Sequence, residues 1–297
     1  MQFASIFVVL FTIATAVAML ARRIKTPYTV ALVVTGIVLG SVHLFSPPNL
    51  TKELLYAIFL PGLVFEAAFH LEARAFRRNA IAIVALAVPG VAVAIGATAG
   101  ILALAGHVLP FISGFTFVHA LVFSAAISAT DPIAVVAMFK SLGAPKRLGV
   151  LVEGESLLND GTAIVFFSMA LGFLSGQHLS APAAVLDFVR IVGMGALLGA
   201  SVAFLAALAR RQVDDAMIEI TITTIAAYGS FAIAEQLHYS GVIATVVAGV
   251  VVGTYARGRG MSPSTRIAVE TFWEYVAFAL NSVVFLLIGF EVRVDAL

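Results

Sequence analysis

Ser128-Ala129-Thr130-Asp131-Pro132 interrupts an apolar run that extends over residues 115–139. Pro132 has no N–H to donate, its ring collides with the carbonyl of Ser128, and the residue before it, Asp131, is pushed out of helical geometry. A helix over this run therefore breaks near its middle. In lipid, broken backbone is tolerated only where it is buried in protein or lines a polar cavity. Discontinuous helices near the midplane are one way in which membrane proteins present carbonyls and helix ends to ions. Asp131 also suits the capping of the half-helix that follows, a role compatible with ion contact.

The rest of the chain says that this run lies in lipid. Of its 297 residues 61% are apolar and only 11% charged, against roughly half and a quarter in soluble domains, and the mean hydropathy is +1.08. Apolar runs fall at about 3–20, 28–45, 54–70, 80–105, 115–139, 148–175, 185–209, 217–237, 241–256 and 270–292, each near the length of about 20 residues that crosses a bilayer. Small residues four apart, as at Gly36/Gly40, Gly96/Gly100, Gly195/Gly199 and Gly249/Gly253, suit close helix packing. The fold class expected is an all-α polytopic membrane protein.

Charge fixes an expected orientation. Arg22, Arg23 and Lys25; Arg74, Arg77 and Arg78; Lys140, Lys146 and Arg147; Arg210 and Arg211; and Arg257, Arg259 and Arg266 occupy the odd-numbered loops. They make up 14 of the 17 basic residues. Only Lys52, Arg190 and Arg293 fall on the other side, so the odd loops are expected in the cytoplasm and the N-terminus outside. The first run is followed rather than preceded by its positive charges, which favours a retained helix over a signal peptide.

Acidic groups in such a chain need a partner or a task, because one near the bilayer centre costs about 2.5–3.5 kcal/mol on insertion scales. At ~1.5 Å per residue, Asp160 lies about 16 Å and Asp131 about 12 Å from the cytoplasmic ends of their helices, and Glu66 about 18 Å from the outer end of its own. The helix that carries Asp160 opens with Glu153-Gly154-Glu155-Ser156-Leu157-Leu158-Asn159-Asp160-Gly161. Ser156 and Asp160, four apart, share one face, and Glu155 and Asn159 share the next. A hydroxyl and a carboxylate are hard oxygen ligands suited to a small cation, although Ser156 and Asn159 serve equally well as interhelical hydrogen-bonders. His70, four residues from Glu66, reads as a satisfied interfacial histidine. Glu72, Glu270 and Glu274 lie near loops and are expected to snorkel or to pair with arginines. Glu219 and Glu235 carry no evident role.

Other classes are poorly served. The chain has no cysteine, and so no disulfide framework, iron–sulfur site or thiolate zinc site. It shows no basic face for nucleic acid, no metal-ligand histidine spacing and no phosphate-binding G-x-x-x-x-G-K-[ST] loop. No nucleophile, base and orienter form a recognisable set, so an enzyme is not expected. A cation channel subunit or a sodium-coupled carrier of an organic solute remain as alternatives; a channel would call for a filter-like run of carbonyl-presenting residues, which is not evident.

Several stretches carry a resemblance: Phe59-Leu60-Pro61-Gly62-Leu63-Val64-Phe65-Glu66-Ala67, Thr130-Asp131-Pro132, Glu155-Ser156-Leu157-Leu158-Asn159-Asp160-Gly161, Ser240-Gly241-Val242-Ile243-Ala244, and Phe272-Trp273-Glu274 through Asn281-Ser282 to Gly289. With these the chain resembles, over essentially its whole length, the monovalent cation/proton antiporter family of bacterial NhaP-type and eukaryotic-type Na⁺/H⁺ exchangers. The resemblance implies an inverted-repeat antiporter fold with a discontinuous helix at Thr130–Pro132, and residues 1–297 as one sodium/hydrogen exchanger transmembrane domain. Family members have about thirteen spans, so further spans and a membrane arginine that pairs with Glu155 are expected beyond Leu297. It implies that Asp160 binds cation and proton in turn, and that Asn159 before it marks the electroneutral branch. Thr130 and Asp131 would line the site with Ser156 and Glu66 as further cation ligands, while Glu155 and Pro132 would be structural. It also implies a homodimer in a bacterial plasma membrane, a role in pH homeostasis, and no cofactor beyond the transported ions.

Overall fold

The structure, a computed structural model, describes residues 2–24, 26–42, 51–108, 115–130, 132, 135–136, 138–139, 142–176, 180–209 and 215–292. Ten helical segments run through them. They are α1 (Gln2–Ile24), α2 (Tyr28–Ser41), α3 (Lys52–Leu54 continuing through Leu55–Phe59 and Leu60–His70), α4 (Ala73–Ala85, Leu86–Gly90 and Val91–Val108), α5 (Phe117–Ala126), α6 (Lys146–Leu174), α7 (Ala181–Ala209), α8 (Ala216–Gln236), α9 (Gly241–Tyr255, extended by Ala256–Gly260) and α10 (Pro263–Glu291). Each matches one of the ten apolar runs. Six are long and apolar enough to cross a membrane, and α2, Leu55–His70 and α5 are shorter apolar helices.

Helix starts follow capping chemistry, with orphan N–H groups answered by a side-chain oxygen one turn back. Asp215 accepts from the amides of Met217 and Ile218, Ser240 from Ile243, and Ser262 from Thr265. Wider π-helical turns occur at Leu55–Phe59 and Leu86–Gly90. Pro61 lies just past the first and Pro89 within the second, and a missing proline N–H lets the ladder of hydrogen bonds slip.

Packing is organised around α9. In its membrane window 61% of the residues are buried, against 22% for α4 and 17% for α7, so α9 is the central post. Backbone contact makes this possible. A Cβ on Gly253 would run into the carbonyl of Phe69, one on Gly249 into Ala68 and the Phe65 carbonyl, and one on Gly199 into the Ala244 carbonyl. Gly36 and Gly289 meet in the same way between α2 and α10. Three of the four expected glycine pairs are thus helix contacts. The fourth is not, because a Cβ at Gly96 or Gly100 would meet nothing within 4 Å.

Against this post sits the largest buried side chain, Trp273 of α10, its ring 4.6 Å from that of Phe65 and its indole N–H donated to Thr223 Oγ1 at 3.0 Å. Arg257 closes the far end of α3 by donating to the carbonyls of Phe69 and Leu71, a basic group on C-terminal carbonyls. Separately, Val91 and Ile95 of α4, Ala125 of α5 and Phe166 and Phe167 of α6 form their own cluster. Gly154 of α6 lets α4 approach, since a Cβ there would lie 2.8 Å from Ile83 Cδ1 and 3.2 Å from Phe76 Cδ2.

The contrast between glycines is testable by thermal unfolding of the full-length protein in detergent. Gly253→Ala forces α9 from α3 and is expected to cost about 1–3 kcal/mol. Gly96→Ala meets no neighbour and is expected to be neutral or stabilising by up to about 1 kcal/mol through helix propensity. Equal effects at the two positions would contradict the packing described.

Candidate ion-binding site

The break expected from the sequence is present. α5 ends at Ala126, and Ser128, Ala129 and Thr130 are outside any helix; helical backbone returns at Val135 and Val136, where the Val136 amide donates to the Pro132 carbonyl at 2.8 Å. Asp131 itself, expected to line the site, lies outside the described residues. Among the described residues no backbone amide donates to the carbonyls of Ser128 and Thr130. They are answered from α6: Asn159 Nδ2 donates to the Ser128 carbonyl at 3.0 Å, and Ser156 Oγ to the Thr130 carbonyl at 2.6 Å.

Asn159 has a second donor, and it goes to Thr130 Oγ1 at 3.2 Å. With both N–H groups engaged, its Oδ1 faces the interior without a hydrogen-bond partner among the described residues, on a side chain only 1% exposed. A buried acceptor without a donor is costly, about 1–3 kcal/mol, unless something positive comes to it. Ser156 is also buried, whereas Thr130 is exposed toward the cavity and Asp160 and Glu155 are half-buried. One turn on, Thr162 Oγ1 donates to the Ala87 carbonyl at 2.6 Å, in the π-helical turn of α4. The polar stripe of α6 therefore ties down the two irregular segments facing it.

Beside this stripe opens a cavity of about 530 Å³ whose polar lining includes Thr98, Ser124, Thr130, Glu155 and Asn159. Ser124 Oγ, like Asn159 Oδ1, is buried there without a partner among the described residues. A second cavity, of about 370 Å³, is lined by Ile164 and Ser168 of α6 together with Tyr56, Asp187 and Glu235. Asp160, Ile164 and Ser168 follow one another at four-residue spacing on one face. Along α6, Asp160 follows Asn159, which lines the first cavity, and precedes Ile164, which lines the second; Asp160 itself is in the lining of neither.

Not every expected group gathers here. Glu66 Oε1 lies 3.1 Å from His70 Nδ1 on the same helix, and His70 Nε2 lies 4.0 Å from Glu274 Oε1 of α10. These three form a cluster between α3 and α10, and Glu66 is not in the lining of the 530 Å³ cavity. Glu274 was expected to snorkel or pair with arginine and instead faces a histidine; Glu270 does pair, with Arg266 at 3.6 Å. Glu155, expected to pair with an arginine, makes no salt bridge among the described residues and lines the cavity. Glu235 gains a role that the sequence did not suggest, accepting from the Gly241 amide at 3.0 Å at the start of α9. Sequence reasoning passed over Ser124, Thr98 and Thr162. Thr162, three residues after Asn159 on a neighbouring face, was the one that spacing could have picked out. Among the described residues no group of three or more His, Asp or Glu is arranged to hold a resident metal ion.

Comparison with known proteins adds an independent line. The family described as sodium/hydrogen exchanger, transmembrane, matches residues 7–297. The Na⁺/H⁺ antiporter ApNhaP of Aphanothece halophytica is 39% identical over 274 residues, covering 92% of this chain and 51% of that protein. The low-affinity Na⁺/H⁺ antiporter NhaS1 of Synechocystis is 38% identical over 296 residues, covering 98% of this chain and 55% of that protein. The chain spans about half the length of these curated relatives. Among solved structures, the sodium proton antiporter MjNhaP1 of Methanocaldococcus jannaschii superposes with a TM-score of 0.79 at 17% identity, over 99% of this chain and 74% of that one, which shows a shared fold. By the match over nearly all of its residues and by these relatives, the chain belongs to the transmembrane sodium/hydrogen exchanger family, whose members are integral, multi-pass membrane proteins.

Proposed function

We propose that this protein exchanges Na⁺, or its relatives Li⁺ and K⁺, for H⁺, the cation and the proton competing for Asp160. The observation that carries the reading is the interrupted helix pinned by Ser156 and Asn159 immediately beside Asp160, with the Asn159 Oδ1 left as a buried acceptor. A cation held there would draw on hard oxygens: the Asp160 carboxylate, Asn159 Oδ1, Thr130 and Ser156, with Asp131 close by in sequence. Either occupant neutralises the carboxylate. Only in that condition is passage through the apolar interior inexpensive, since an unneutralised acid at mid-membrane costs about 2.5–3.5 kcal/mol on insertion scales. The cavities on either side of Asp160 suit access from one membrane face at a time, through movement of the α4–α6 layer against the bundle around α9. Glu66 would act in this scheme only if the cluster with His70 opened.

In proteoliposomes of the full-length protein, an imposed Na⁺ gradient is expected to drive opposite proton movement that is indifferent to a potassium–valinomycin voltage clamp. Asp160→Asn abolishes it. Normal exchange by that variant would remove Asp160 from the site, and dependence on the clamp would exclude electroneutrality.

Competition fixes a sign for pH. Protons and cations exclude each other, so the apparent affinity for Na⁺ falls as pH falls, by about tenfold per unit once the carboxylate is mostly protonated. A Na⁺ concentration for half-maximal exchange that stayed constant on acidification would contradict a shared site.

The same reading includes a homodimer in a bacterial plasma membrane with the N-terminus outside, as the loop charges suggest. Residues 1–297 contain no cysteine, so a thiol introduced there is read against a background of none within them. Gln2→Cys should react with a membrane-impermeant maleimide added to intact cells, and amine cross-linking of native membranes should give a dimer; reaction only after lysis, or monomer alone, would contradict it.

A further inference from the structure

The contact at Gly154 that draws α4 onto α6 also brings together basic residues which the mechanism does not use. Arg74 and Arg78 from the first turns of α4, and Lys146 and Arg147 from the start of α6, surround a cleft of about 570 Å³, with Glu72 as its one acidic member and Asn79 at its base. Among the described residues none of these four cations makes a salt bridge. Two long helices begin here, so the partial positive charge of two helix N-termini adds to that of the side chains. Basic residues at helix N-termini oppose the dipole, and the arrangement is electrostatically unfavourable until an anion enters.

The cleft is built rather than merely charged. Arg147 Nε donates to Asn79 Oδ1 at 3.0 Å, and Asn79, itself buried, donates Nδ2 to the Ala75 carbonyl at 2.8 Å. The guanidinium is thereby fixed, its terminal N–H groups having no acceptor among the described residues, the geometry that suits a phosphate oxygen pair. Arg74, Arg78 and Ile81 lie along one stripe of α4 at spacings of four and three. Ile81, one turn deeper than Arg78, is 89% exposed, and Leu148, next to Arg147, is 41% exposed. Apolar surface thus runs from the cations toward the membrane interior.

We propose that this cleft binds the phosphodiester headgroup of an anionic phospholipid of the same leaflet, its acyl chains lying along Ile81 and Leu148. A soluble phosphate would satisfy the cations but leave the adjoining apolar stripe without purpose; a lipid satisfies both. The site involves the ends of α4 and α6, the second of which carries Asp160, so an occupied cleft joins the α4–α6 layer to the membrane surface.

The test is native mass spectrometry of the full-length protein in non-ionic detergent, titrated with phosphatidylglycerol, phosphatidylcholine or inorganic phosphate. The wild type is expected to retain phosphatidylglycerol about tenfold better than phosphatidylcholine. The double variant Arg78→Gln/Arg147→Gln is expected to lose that preference. Asn79→Ala, which leaves the net charge unchanged, weakens retention severalfold by releasing Arg147; Arg22→Gln/Arg23→Gln, equal in charge to the first double variant but distant from the cleft, leaves it intact. Melting temperatures identify any variant that has not folded, and Arg78→Gln alone, at an exposed position, then serves in its place. Equal retention of the two lipids, an equal effect of the Arg22/Arg23 variant, or full displacement of the lipid by millimolar inorganic phosphate would each overturn the proposal, the last in favour of a soluble anion.

Discussion

Backbone carbonyls released inside a membrane must be given donors, and in this protein that requirement organises everything near the candidate site. Breaking α5 after Ala126 leaves the carbonyls of Ser128 and Thr130 without a backbone amide among the described residues, and an unanswered buried acceptor costs about 1–3 kcal/mol. Ser156 and Asn159 supply the donors. Because both lie on α6 one turn apart, the crossing point of α5 and α6 is set to within a hydrogen-bond length. Asp160 follows Asn159 directly on the same helix. The same helix secures the π-helical turn of α4 through Thr162, so three helices are held by a single polar stripe in an otherwise apolar layer.

The remaining helices are held by a different force. α2 against α10, α7 against α9 and α3 against α9 meet at glycines whose missing side chains allow backbone contact, and Trp273 with Phe65 and Phe69 fills the space between them. Such packing depends on dispersion contact rather than on polar groups, as expected where lipid gives no hydrophobic drive to association. The α4–α6 layer, by contrast, lines the cavity of about 530 Å³ and holds two buried side-chain oxygens, Ser124 Oγ and Asn159 Oδ1, that have no partner among the described residues. A closely packed bundle beside a layer with vacant polar capacity is the division of labour that alternating exposure of one site would need.

Much of this was legible in the sequence. The ten apolar runs correspond to the ten helices, and proline chemistry at Pro132 placed the break within two turns of where α5 ends. The four-residue spacing of Ser156 and Asp160, with Asn159 and Glu155 beside them, marked the face that meets the break. What was not legible depended on long-range pairing. Gly96 and Gly100 have the spacing of a packing motif yet face open space, because spacing says that a helix has a smooth stripe and not that another helix covers it. Glu66 looked like a site ligand from its depth and from the family resemblance; the cluster it forms with His70 and Glu274 depends on how α10 lies against α3. Threonines such as Thr162 occur on many membrane helices bonded to their own backbone, and only the tertiary structure reveals the one that reaches Ala87.

If one carboxylate serves both ions, Na⁺ binding must displace a proton, and the protons released can be counted. Titrating Na⁺ into the purified full-length protein by calorimetry, in buffers of different ionisation enthalpy, yields the number of protons displaced per cation. The account predicts about one proton released for each Na⁺ bound near the pH where Asp160 is protonated in the cation-free state, and no Na⁺-dependent release from the Asp160→Asn variant. Na⁺ binding without proton release at every pH, or unchanged release from that variant, would contradict it.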